Sequence, residues 1–84
     1  SSLRRMAQKI FVVGGGAREH ALVWKLTQSP LVGEIVCCPG NPGIAELARV
    51  MPVAAEDLPG LLAAAREFAP DLCVIGPDNP LALG

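Results

Sequence analysis

Three short turns hold most of the residues in this sequence that could do chemistry. Gly14, Gly15 and Gly16 run into Arg18, Glu19 and His20; Pro39–Gly43 reads PGNPG; Gly76–Pro80 reads GPDNP. Consecutive glycines let a backbone take positive φ and let a ligand come close to its amides. A helix opening at Ala17 or Arg18 adds N–H groups and a positive dipole end, which suit a phosphate. Arg18 in that first turn opposes the dipole by roughly 0.3–1 kcal/mol at an exposed site. A bound anion would reverse this penalty and use the guanidinium fork. By type and place alone, Arg18 reads equally well as a solvated arginine. Glu19 suits a helix start electrostatically. His20 is disfavoured there as a cation and reads as a neutral hydrogen-bonding group rather than a general base. Asn41 offers both a donor and an acceptor to a sugar or amine, although Asn also favours turns. Asp78 and Asn79 carry the same two readings, and position favours ligand contact for Asn41 and Asp78.

Each of these turns follows a run of strand formers. Lys9–Val13 (KIFVV), Glu34–Cys38 (EIVCC) and Asp71–Ile75 (DLCVI) read as short buried strands. Arg49–Val53 reads as a further strand, with Pro52 placing it at an edge or near its end. Between them, Arg18–Gln28 reads as a helix stopped by Ser29-Pro30, and Ile44–Ala48 as a short helical turn. Asp57 caps a helix over Leu58–Ala69, with Pro59 in its first turn and Pro70 ending it. Leu61, Leu62, Ala65 and Phe68 form the apolar stripe of that helix. Trp24 reads as core packing against the sheet. The order β-α-β-(short α)-β-α-β, with crossovers long enough for parallel pairing, predicts an α/β, doubly wound, Rossmann-like open parallel sheet of about four strands. In such a sheet all strand carboxyl ends share one edge, where ligands bind. The three turns therefore belong to one site. Ser29–Gly33, at the other edge, carries no comparable motif.

A nicotinamide or flavin site is a poor match. The dinucleotide pattern needs a third glycine where Glu19 stands. It also needs an acid about 20 positions on, at the end of the second strand, to hold the ribose hydroxyls. That end reads Cys37-Cys38-Pro39-Gly40, and Glu34 lies at the wrong end of its strand. A phosphate-bearing sugar fits better.

The composition narrows the setting. The 84 residues leave room for one small domain. They are 51% hydrophobic and only 18% charged, with a mean hydropathy of +0.43, an excess that reads as apolar faces meant to meet another domain or subunit. A net charge of −1 gives no sign of a nucleic-acid partner or an acidic membrane. No apolar run approaches the roughly 18 residues that span a bilayer, and no secretory segment precedes the first strand. Cys37, Cys38 and Cys73 match no zinc spacing. Adjacent Cys37 and Cys38 point to opposite faces of a strand, so all three read as small buried hydrophobes in a reducing, cytoplasmic setting. Residues 1–8 read as a leader or cloning remnant.

Taken together, VVGGGAREHALVWKL, PGNPG and VIGPDNPLALG closely resemble the N-terminal domain of the glycinamide ribonucleotide synthetase (phosphoribosylamine–glycine ligase) family, over about Lys9 to Gly84. The resemblance implies a pre-ATP-grasp Rossmann-like domain over 9–84, truncated and lacking the ATP-grasp domains. The family is an ATP-dependent carbon–nitrogen ligase of de novo purine biosynthesis. It joins glycine to 5-phosphoribosylamine through a glycyl phosphate, using ATP and magnesium, which this piece would not itself bind. The substrate-binding residues implied are Gly14, Gly15, Gly16, Arg18, Glu19, His20, Asn41, Gly43, Pro77, Asp78 and Pro80, with no catalytic residue and no metal ligand. Asp78 stands where the family usually has Glu, one methylene longer. The partners implied are 5-phosphoribosylamine or glycinamide ribonucleotide and the parent's remaining domains, and the piece alone is expected to be inactive. The other reading is a free-standing phosphosugar- or nucleotide-binding module without ligase chemistry.

Overall fold

A computed structural model describes residues 8–75. Strands β1 (Gln8–Gly14), β2 (Val32–Pro39), β3 (Arg49–Val50) and β4 (Leu72–Ile75) alternate with helices α1 (Ala17–Thr27), α2 (Pro42–Ala45) and α3 (Leu58–Phe68). The strands form one sheet in the order β3-β2-β1-β4, and every pairing is parallel. This is the expected α/β sheet. Its register places Gly14 beside Pro39 and Val13 beside Ile75.

Apolar runs without alternation form β1 and β2 because both faces of these two strands are covered. On one face Phe11, Val13, Val36 and Cys38 pack under Leu61, Ala64 and Phe68 of α3. On the other Ile10, Val12, Ile35 and Cys37 pack under Val23 of α1 and Ile44 of α2. Cys37 and Cys38 thus serve opposite faces, as strand geometry requires.

The chain moves outward from β1 to β2 to β3, then returns across β1 to add β4 on its far side. Strand order therefore reverses at β1, with α1 and α2 on one face and α3 on the other. The crevice at such a reversal is where open α/β sheets bind ligands. It lies at the carboxyl end of β1, where Gly14–Gly16 begin.

Several expectations are corrected. Trp24 is 55% exposed and not in the core. Val23 faces the sheet, and the next residue of a helix is turned about 100° from it. On α3 the buried stripe is Leu61, Ala64 and Phe68, with Ala65 partly buried, while Leu62 is 52% exposed. Strand β4 is not buried: Leu72, Cys73 and Ile75 are exposed, because among the described residues only β1 pairs with it. The short helix starts at Pro42 rather than Ile44, since Asn41 caps it and proline suits its first turn. Strand β3 is only two residues long. Met51 N–H still reaches Cys37 O (3.0 Å), and Pro52 then has no N–H to continue the ladder. Among the described residues it is an edge strand, one of the two places that Pro52 implied.

Candidate functional site

The first two glycine turns meet. Gly14 ends β1 with φ +144° and Gly40 follows β2 with φ +70°, conformations that favour glycine. The two backbones are so close that a Cβ on Gly15 would stand 2.7 Å from Gly40 O. Gly40 N–H donates to Gly14 O (3.1 Å), and the Cys37 S–H donates to the same oxygen (3.2 Å). Asn41 Nδ2–H donates to Gly15 O (2.9 Å), while its Oδ1 accepts from Ile44 N–H (2.9 Å) and caps α2. One asparagine therefore anchors the second turn to its helix and the first turn to the second.

These bonds set the direction of two successive peptides. In a trans peptide the C=O and N–H point opposite ways. With the Gly14 and Gly15 carbonyls turned towards the β2 turn, the Gly15 and Gly16 N–H groups point away from it. Among the described residues neither N–H meets an acceptor. Gly16 is the N-cap of α1 and supplies no capping side chain, so the adjoining helix end presents its dipole there.

Arg18, Glu19 and His20 occupy the first turn of α1. Arg18 is exposed and has an interaction partner in the structure. Glu19 is half-buried and folds back over the strand end: a Cβ on Gly14 would collide with its Oε1, and one on Gly16 would lie 3.5 Å from its Oε2. His20 packs against the second turn, since a Cβ on Gly43 would stand 2.6 Å from His20 Cε1. Residues separated widely in sequence, Gly14–His20 and Gly40–Gly43, are thus one contiguous structure. Pro77, Asp78 and Pro80, together with Asn79, lie outside the described residues.

Burial, helped by the neighbouring Cys38 and Glu19 charges, pushes the Cys37 thiol up to about 11. Burial also raises Cys38. Both stay protonated at neutral pH and poorly nucleophilic. Cys73 is the exposed one, against expectation. Among the described residues no three His, Cys, Asp or Glu side chains gather as a metal site, and no helix is long and apolar enough to cross a membrane.

Sequence reasoning passed over Cys37 and Gly40 as site residues. Gly40 was visible as part of PGNPG. Cys37 carried no signal, because its bond to Gly14 O depends on strand register.

The chain resembles known proteins closely. The family model "Phosphoribosylglycinamide synthetase, N domain" matches residues 8–84. A phosphoribosylamine–glycine ligase of Caulobacter vibrioides is 52% identical over 75 residues, covering 89% of this chain and 18% of the relative. Those of Phenylobacterium zucineum and Agrobacterium fabrum are 51% and 47% identical, over 89% and 90% of this chain and again 18% of the relative. The chain therefore spans about a fifth of the length of these relatives.

Proposed function

This chain belongs to the phosphoribosylglycinamide synthetase N-domain family, and from that premise we propose that it is the substrate-binding N-terminal domain of a phosphoribosylamine–glycine ligase. The parent reaction would join glycine to 5-phosphoribosylamine in purine biosynthesis. ATP and magnesium would be held by the parent's remaining domains, and this chain alone would be inactive. The work of the described residues would be binding and orientation.

The observation that supports this reading most is the union of the two glycine turns at the strand-order reversal. The Gly15 and Gly16 amides and the uncapped start of α1 favour an anion, and Arg18 adds a cation in the same turn. A phosphate laid directly on Gly14 would meet the Glu19 carboxylate. The phosphate therefore belongs on the Gly16–Arg18 side, and Glu19 takes donors, the ribose hydroxyls or the amine. His20 braces the second turn against α1 through Gly43. Asp78, outside the described residues, would by its acid type be a further acceptor for the sugar.

The test is Arg18→Ala in the full-length enzyme. KM for phosphoribosylamine should rise about ten- to a hundredfold, the range for a hydrogen bond to a charged group, with KM for ATP little changed. Unchanged kinetics would remove the phosphate role.

A further inference from the structure

We propose that Asn41 is a positioning residue for the phosphosugar site, acting through Gly15 rather than by touching the substrate. The proposal rests on the function proposed above. Two hydrogen bonds carry it. Asn41 Oδ1 is committed to the Ile44 N–H at 2.9 Å, and Nδ2 to the Gly15 carbonyl at 2.9 Å. The side chain is therefore engaged on both its polar atoms within the chain, in a half-buried position.

The Gly15 carbonyl is the lever. It belongs to the same peptide plane as the Gly16 N–H, so gripping one aims the other. Glycine on both sides leaves that plane free to rotate unless something holds it. The neighbouring Gly14–Gly15 plane is already held by Gly40 N–H and Cys37 S–H on Gly14 O. Asn41 supplies the corresponding hold for the next plane, and it reaches across from the second turn to do so. The first turn takes its shape from the second.

Asn41→Asp separates the two bonds. Aspartate caps a helix as well as asparagine, so the Ile44 bond survives, but it has no N–H for Gly15 O. In the full-length enzyme, two readouts apply. The Kd for glycinamide ribonucleotide, followed by NMR titration, should rise about tenfold, the factor for one such hydrogen bond, with KM for ATP held. In the ligand-free enzyme, the Gly15 and Gly16 amide resonances should already be displaced. Asn41→Ser, which keeps a capping oxygen without the donor reach, should behave alike and serves if the aspartate variant fails to fold. An unchanged Kd in the folded variant overturns the proposal. So does a raised Kd with the ligand-free glycine resonances unmoved, which would make Asn41 a direct ligand contact. If glycinamide ribonucleotide moves none of the turn resonances in the unsubstituted enzyme, the phosphosugar reading itself falls, and this proposal with it.

Discussion

The two ends of the sheet are tied by similar chemistry in different materials. At the amino end, Asp71 Oδ2 accepts from Lys9 N–H (2.8 Å), and Asp71 N–H donates to Lys9 O (2.8 Å). That reciprocal pair joins β4 to β1 with ordinary residues and no glycine. At the carboxyl end, Asn41 does a comparable job on Gly15, but the backbones there are stripped of side chains. A Cβ at Gly14, Gly15, Gly40 or Gly43 would press on Glu19, Gly40 O, Val50 or His20 respectively. Closing a sheet edge does not require glycine, so its concentration at one edge needs another cause. Close approach between the two turns is that cause, and the proposed phosphosugar would use the same bare backbone.

The sharpest way to break this contrast is Gly15→Ala. The added methyl would press on a backbone carbonyl, which cannot swing aside as a side chain can. Overpacking of this kind costs about 1–3 kcal/mol, readable as a lower denaturant midpoint, and binding of glycinamide ribonucleotide should be lost with it. Asp71→Ala tests the other end. It should cost about 1 kcal/mol, as one exposed hydrogen-bonded pair, and leave ligand affinity where it was. Equal losses of affinity in both variants would erase the distinction between the edges.

A third effect is confined to alkaline pH. Cys37 has its folded pKa raised to about 11 against an ordinary value of 9.0. Raised in the folded state, it contributes nothing to pH dependence below about 9. Above that, the unfolded chain ionises first and stability falls until the folded thiol titrates near 11. Cys37→Ser should flatten this alkaline decline, measured by denaturant unfolding across pH 8–11 (~pH 8 as the plateau). A decline that persists unchanged in the serine variant would assign it to other groups.

Legibility in the sequence followed burial. The strands from Ile10 to Val13 and from Ile35 to Cys38 are core on both faces, and their unbroken apolar runs announced them. The capped start of α3 at Asp57 was equally plain, since its side chain takes the Gly60 N–H (3.1 Å). Trp24, Leu62 and Cys73 were misplaced for one reason. Apolar type says that a residue gains by burial, but not whether a neighbour is there to bury it. All three lie on surfaces that the described chain leaves uncovered.

Residue order alone determined the alternation of strands and helices, because period and punctuation are local properties. It also determined that the glycine turns follow strands, and so share an edge once the strands run parallel. Only the tertiary structure decided that β1 lies between β2 and β4, which puts Gly14–Gly16 at the reversal of strand order. It alone turned Asn41 towards Gly15 and set Cys37 beneath Gly14. Those contacts span 23 and 26 positions of chain, and no local pattern encodes a distance that pairing register creates.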